Sequence, residues 1–216
     1  MNEKIPFMRT DFDAVVVANG VFPRDGLPLS VLSHLRDDLF CCDGAANRLM
    51  RAGFIPKAVI GDGDSILPQV RSMLSDRFIK LSEQENNDLT KTVHHCVLRG
   101  YKRLCILGAT GNREDHTLGN ISLLADYMDL AEVEMWTDNG TITPAVGNVE
   151  FESYGGQQVS IFCFEPKPLT VHGLRWKIEN RILTRWWQAS LNEAEGDSFK
   201  IETSGKVVVF RQYHLF

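Results

Sequence analysis

Between Asp13 and about Asp138, short apolar runs alternate with longer segments whose apolar residues recur at helical spacing, the pattern of strand-helix-strand units around a parallel sheet. Strands are predicted over residues 14–18, 39–42, 58–60, 78–81, 104–107 and 133–136. Most of these runs are apolar without alternation, as strands covered on both faces are. Helices are predicted over residues 45–52, over 88–98 with Leu89, Val93, Cys96 and Val97 as the apolar stripe, and over 116–128 with Leu118, Ile121, Leu124 and Ala125.

After Asp138 helical periodicity stops. Short strand-like segments are separated by Asn139-Gly140, Gly147-Asn148, Gly155-Gly156, Pro166-Lys167-Pro168, Gly196-Asp197 and Ser204-Gly205. Residues 159–164 and 207–210 are the firmest strands, and turns at such short intervals favour a small sandwich or barrel. The expected fold is an α/β N-terminal domain with a mostly parallel sheet (residues 1–138), followed by a small all-β sandwich-like C-terminal domain (139–216). The first dozen residues read as a loosely held end.

A length of 216 residues admits one domain or two, so only the pattern decides. With 44% hydrophobic and 24% charged residues a packed core is possible, which excludes a collagen-like or wholly disordered chain. Lys plus Arg number 23 against 28 for Asp plus Glu, so the net charge of −5 offers no broad field for nucleic acid or an anionic membrane. Five cysteines, at 41, 42, 96, 105 and 163, form no Cys-x-x-Cys pair and have no histidine at zinc-finger spacing, which argues against a disulfide scaffold. No apolar run nears the ~20 residues that cross a bilayer, and the start Met1-Asn2-Glu3-Lys4-Ile5-Pro6 lacks an apolar signal core. The expected location is the cytoplasm, with no membrane and no nucleic acid as partner.

In an open parallel sheet, ligands bind beyond the carboxyl ends of the strands, so the residues just after each apolar run carry the candidate chemistry. After the second run stands Asp43-Gly44-Ala45-Ala46-Asn47, and after the third Gly61-Asp62-Gly63-Asp64-Ser65. Asn87-Asp88 follows the fourth, and Gly108-Ala109-Thr110-Gly111-Asn112-Arg113-Glu114-Asp115-His116 the fifth. A single aspartate after a strand is ordinary, since it caps helices and starts turns. Four on one rim repel unless a cation sits among them, and hard carboxylate oxygens suit Mg²⁺, which keeps waters and shares substrate phosphates.

The fifth loop offers an anion grip through Gly108, Gly111, Arg113 and a helix starting near Asp115. It is not a Walker A loop, because Gly-x-x-x-x-Gly-Lys-Ser/Thr is absent. Lys91, one turn beyond Asp88, can neutralise phosphate or serve as a solvated lysine. His116 reads as a residue that orients Asp115 rather than as a general base. His94 and His95 diverge by about 100° on their helix and are poor co-ligands for one metal. In the second domain, Trp176, Trp186 and Trp187 are core aromatics or, where exposed, a surface for a flat cationic ligand; Ser190, Asn192 and Glu193 follow closely.

The ordered set Asp43-Gly44-Ala45-Ala46-Asn47, Gly61-Asp62-Gly63-Asp64-Ser65, Asn87-Asp88-Leu89-Thr90-Lys91, the 108–116 loop and Gly173-Leu174-Arg175-Trp176 resembles the thiamine pyrophosphokinase family. The resemblance runs from about residue 14 to the C-terminus and implies a homodimer with sites formed between subunits. It implies an ATP- and Mg²⁺-binding α/β domain and a β-sandwich that helps hold thiamine. The implied reaction makes thiamine diphosphate and AMP. Carried over onto this chain, Asp43, Asp62, Asp64 and Asp88 match the metal and phosphate positions, Lys91 and Arg113 the basic phosphate contacts, and Asp115 the acid near the substrate. Gly44, Asn47, Gly108, Thr110, Gly111 and His116 fall to the nucleotide, and Asn87, Asp115, Trp176, Ser190 and Asn192 to thiamine. Asp64, Asp88, Arg113 and Asp115 are the expected catalytic residues. Ala45 and Asn112 stand where the family usually has glycine, and residues 189–193 match its Ser-Thr-Ser-Asn-Glu only loosely. Two alternatives remain open: a metal-dependent sugar-nucleotide transferase using Asp62-x-Asp64, and a non-catalytic thiamine or nucleotide sensor.

Overall fold

The computed structural model describes residues 3–24 and 26–213. Its chain divides into two compact units, Asp11–Asp138 and a second made of Met1–Thr10 with Asn139–Phe216. The strand β1 (Glu3–Ile5) lies in the second unit.

The first unit carries β2 (Ala14–Val17), β3 (Leu39–Cys42), β4 (Ala58–Gly61), β5 (Phe78–Lys80), β6 (Arg103–Leu107) and β7 (Glu132–Trp136). All neighbours are parallel, in the order β7-β6-β2-β3-β4-β5. The chain builds outward from β2 to β5, then returns to the other flank of β2 for β6 and β7. The strand order therefore reverses between β2 and β6, where such sheets open a crevice. β2, β3 and β4 are buried at every position, which is why their sequences show no alternation.

Among the described residues, five α-helices cover this sheet: α1 (Gly26–His34), α2 (Ala45–Arg51), α3 (Pro68–Met73), α4 (Asp88–Leu98) and α5 (Glu114–Tyr127). Leu32, Ala46, Leu49 and Leu74 pack on Val15, Val17, Leu39, Cys41 and Val59 in one core. α4 lies across β3 and β4. It starts where the Asn87 side chain accepts from the backbone N–H of Thr90 at 2.8 Å. It ends at Gly100, whose φ of +89° lets Gly100 and Tyr101 donate back to Val97 and Cys96. Helices α1 and α3 are absent from the sequence expectation. Gly26 and Pro28 give α1 the look of a turn, although proline is compatible with a helix's first turn, and α3 is a six-residue segment opened by Pro68.

The second unit adds β8 (Gly140–Glu152), β9 (Gln158–Cys163), β10 (Pro168–His172), β11 (Ile178–Ile182), β12 (Asn192–Glu193) and β13 (Ser198–Gln212). β8 and β13 form one long antiparallel ribbon whose register shifts between Thr203 and Val207. The first half of β13 pairs with β10 and the second with β9, so the ribbon serves two sheet segments. Phe151, Phe199, Ile201, Val159, Ile161, Leu169, Val171 and Val209 share one core, with the Phe151 and Phe199 rings stacked at 5.1 Å.

Two sequence expectations change here. The start of the chain is tied down, because β1 runs parallel to β8 from Glu3↔Val149 to Ile5↔Phe151, and the first ten residues group with the later unit rather than with residues 11–138. Trp186 and Trp187 are not core aromatics but lie exposed on a 3₁₀ turn, Trp186–Ala189. Among the described residues, no helix is long and apolar enough to cross a membrane.

Candidate functional site

The turns after β2 and β6 are laced together by main-chain bonds. Ala18, Gly20 and Val21 donate to Leu107, Gly108 and Thr110 at 2.8, 2.6 and 2.8 Å. This approach demands glycine at position 20, where a Cβ would stand 2.4 Å from the carbonyl oxygens of both Gly108 and Thr110. A cleft of about 490 Å³ opens beside these turns. Its lining includes Asn19 and Gly20 after β2, Gly44 after β3, Asp62 and Asp64 after β4, Gln84 and Asn86 after β5, and Asn87, Asp88 and Lys91 at the start of α4. Ala109, Gly111, Asn112, Arg113, His116 and Asn120 close it from the β6 side.

Oxygens of Asp43, Asp62 and Asp64 lie within 4.8 Å of one another. Asp43 is almost fully buried; one oxygen accepts from the backbone N–H of Ser65 at 2.9 Å, and the other has no hydrogen-bond partner. Burial pushes its pKa up, the Ser65 bond opposes this, and Asp88, Asp64 and Asp62 push it further up. Half-buried Asp62 goes the other way, chiefly because it accepts from the backbone N–H of Asp64 at 3.1 Å. The backbone at Gly61 makes this crowding possible, since a Cβ there would meet the Asp43 Cβ at 2.6 Å and an Asp88 oxygen at 3.2 Å. An unpaired buried carboxylate oxygen beside two further carboxylates is a donor set suited to a hard divalent cation.

Asp88 stands outside that trio. Its carboxylate takes the Lys91 ammonium at 3.3 Å, and its pKa is raised by burial against the lowering effect of that lysine. Asn47 lies behind the acidic turn, donating to the Ser65 carbonyl at 3.0 Å and accepting from the Leu67 N–H at 2.9 Å. Thr110 holds Val21 through its carbonyl, and Gly108 adopts φ +63°. Asn112 also has φ +63°, a conformation that asparagine tolerates better than most residues, which explains how it replaces a glycine. Arg113 and Asp115 form a two-point pair at 3.1 and 2.5 Å on the surface, and Asp115 accepts from the His116 N–H at 2.9 Å. Together these contacts hold the Asp115 pKa down to about 2, with Arg113 the larger influence. Arg113 and His116 line the cleft, whereas Asp115 is engaged with Arg113 and is not part of its wall.

The remaining predicted residues belong to the second unit. Trp176 is 54% exposed with the Arg175 guanidinium 5.3 Å from its ring centre. Buried Asn192 clamps the Trp176 backbone from both sides, accepting from its N–H at 3.1 Å and donating to its carbonyl at 2.8 Å. Ser190 donates to the Trp187 carbonyl. Sequence reasoning missed Asn19, Gly20, Gln84, Asn86 and Asn120. The first four carry no acid or familiar motif, although Ala18-Asn19-Gly20 follows a strand and was open to the same rule. Asn120 lies a full turn inside α5, where it donates to the Ala109 carbonyl at 2.8 Å and accepts from the Asn87 amide at 3.3 Å.

Comparison with known proteins gives a consistent picture. Residues 33–136 match the family model described as thiamin pyrophosphokinase, catalytic domain, and residues 140–210 the model described as thiamin pyrophosphokinase, substrate-binding domain. Thiamine pyrophosphokinase 2 of Oryza sativa subsp. japonica is 32% identical over 150 residues, covering 58% of this chain and 55% of that protein. Thiamine pyrophosphokinase 1 of the same plant is 27% identical over 202 residues, covering 79% of this chain and 75% of that one. The match thus spans about half the length of the first relative and three-quarters of the second. Thiamin pyrophosphokinase from Candida albicans superposes with a TM-score of 0.80 at 19% identity, covering 98% of this chain and 92% of that one, a likeness of fold. With both domain models matched in order along most of its length, the chain belongs to the thiamin pyrophosphokinase family.

Proposed function

We propose that this chain transfers the pyrophosphoryl group of ATP to the hydroxyl of thiamine, giving thiamine diphosphate and AMP. The observation that carries the reading is the carboxylate trio of Asp43, Asp62 and Asp64, with its unpaired buried oxygen, at the crevice of a unit matched by the family's catalytic domain. Asp43, Asp62 and Asp64 would hold Mg²⁺, with Asp88 beside them. When bound, that ion offsets the charge of the phosphate oxygens.

The protein's own share is positioning and electrostatics, which dominate phosphoryl transfer. Lys91 and Arg113 meet the phosphates, assisted by main-chain N–H groups of the 108–111 turn and by Gly44 and His116 along the nucleotide. Asn47 and Thr110 act one step back, keeping the acidic and glycine-bearing turns in place. The thiamine hydroxyl oxygen attacks the β-phosphorus, the bond from that phosphorus to the oxygen bridging to the α-phosphate breaks, and AMP leaves with that oxygen. A carboxylate, Asp88 or Asp115, accepts the hydroxyl proton; for Asp115 this requires release from Arg113. In the second unit, Trp176 presents an exposed aromatic face to the cationic vitamin, Asn192 fixes its backbone, and Ser190 provides a polar contact.

The same reading takes the working form to be a homodimer and its location to be the cytoplasm, where five free cysteines are at home. The test is to incubate the protein with ATP, thiamine and Mg²⁺ and identify products by mass spectrometry. Thiamine diphosphate with AMP is expected, and Asp64→Asn should lower turnover at least about a hundredfold while leaving cooperative unfolding intact. Thiamine monophosphate with ADP would overturn the reaction, and binding without AMP would make the protein a sensor.

A further inference from the structure

A second cavity, of about 340 Å³, lies in the same unit but away from the acidic cleft. Lys57 enters it from just before β4, Arg77 from just before β5, and His95 and Arg99 from the last turn of α4 and its end. These positions belong to the strands' amino ends, opposite the rim that carries the carboxylates. Phe40 and Tyr101 complete an aromatic wall: their rings meet edge to face at 5.2 Å, and the His95 ring stands 5.9 Å from Phe40.

The charges here are unevenly spent. Lys57 and Tyr101 are both committed to Asp38, at 2.8 and 2.5 Å, and Arg77 donates to the Pro56 carbonyl at 3.0 Å with Asp76 4.0 Å away. Arg99 has neither hydrogen-bond acceptor nor carboxylate for its guanidinium among the described residues. A basic residue at a helix end often caps the last carbonyls. Here Gly100 and Tyr101 already satisfy those of Val97 and Cys96 through the backbone, so Arg99 is not used for that purpose. Burial and the Arg99 charge both hold the His95 pKa down, which keeps its ring neutral and suited to face another ring.

We propose that this cavity is an accessory binding site for a small organic anion that joins a flat ring to a phosphate or carboxylate. The ring lies against His95 and Tyr101, with Phe40 buried behind them, and the anionic head is taken by Arg99 with help from Arg77. α4 carries residues of both places, Asp88 and Lys91 at one end and His95 at the other.

The test uses the full chain and three probes: phenyl phosphate, benzoate and inorganic phosphate. Amide signals of His95, Arg99 and Tyr101 should shift on titrating one of the two aryl anions, and inorganic phosphate should bind more weakly. Whichever aryl anion binds tighter identifies the head group. Arg99→Ala should weaken that binding roughly tenfold, the loss of about one charge-assisted hydrogen bond, while Asp64→Asn leaves it unchanged. Both arginines are exposed, and near-ultraviolet dichroism verifies that the variants fold. Unshifted signals with both aryl anions overturn the proposal, as does equal affinity in the Arg77→Ala, Arg99→Ala double variant or inorganic phosphate binding as tightly as the aryl anions. Because no product of ATP is measured, failure here is distinct from failure of the pyrophosphoryl-transfer reading.

Discussion

Asp43 is a carboxylate that its protein neighbours provide for poorly: buried, one oxygen unpaired, and two further acids within 4.8 Å. Such a group stabilises the fold only when a cation joins it. In a chelator, Asp43→Asn should therefore unfold at a temperature no lower than the parent, since it removes repulsion while keeping shape. Added Mg²⁺ separates the two. At a hundredfold over its dissociation constant a ligand contributes about 2.7 kcal/mol, roughly 5–10 °C for a chain of this size, and that shift should be present in the parent and lost in the variant. Equal shifts in both proteins would remove Asp43 from the metal site. The signal for this residue lay in the sequence, as an aspartate directly after an apolar strand. What it could not reveal is that Asp88, read as a fourth member, is turned toward Lys91, because the choice between the two partners depends on how α4 is rotated over β4.

The elements meet the site through their ends, and those ends are fastened by specific contacts. At the carboxyl rim, Gly20 lies so near the Gly108 and Thr110 carbonyls that Gly20→Ala must push the β2 and β6 turns apart. Overpacking of this kind costs about 1–3 kcal/mol, read by denaturant unfolding, and should also cut turnover because Gly20 lines the cleft. Wild-type stability and turnover in that variant would mean the turns have slack. At the opposite ends, Asp38 before β3 ties Lys57 before β4 to Tyr101 after α4. Hydrogen bonds from Lys57 and then Tyr101 lower the Asp38 pKa. A depressed carboxylate adds stability above its unfolded pKa, near 3.9 for aspartate, and loses it as pH falls through the folded value. Asp38→Asn should thus be less stable than the parent at pH 7 by no more than about 1 kcal/mol, given solvent screening, and the gap should close in acid. A gap that persists unchanged at pH 2 would assign the loss to shape rather than charge.

At the scale of the molecule, hydrophobic pattern was enough to read the six parallel strands and the change of character after Asp138, because buried strands and turn-rich β segments leave local traces. It missed the role of the first ten residues, because Glu3–Ile5 is only three residues long and its partners, Val149–Phe151, are about 146 positions away. Local periodicity carries no information about such a pairing. α1 and α3 escaped for a local reason instead: Gly26, Pro28 and Pro68 are turn-formers that sit in the first turns of these short helices. The N-terminal strand has a measurable consequence. Ile5 is in the second unit's core, Phe7 packs edge-on against Tyr154 and Tyr213, and buried Arg211 donates to the Pro6 carbonyl at 3.1 Å. Removing residues 1–10 uncovers one edge of β8 and takes an acceptor from a buried guanidinium, a loss of about 3 kcal/mol or more. Three of the four tryptophans, Trp176, Trp186 and Trp187, report on this unit, and Trp136 on the other. Heating the truncated chain should therefore give an early fluorescence transition, and a Trp136→Phe background should retain it because the early signal comes from the other three. An unchanged transition would mean that β1 decorates the β8 edge without supporting it.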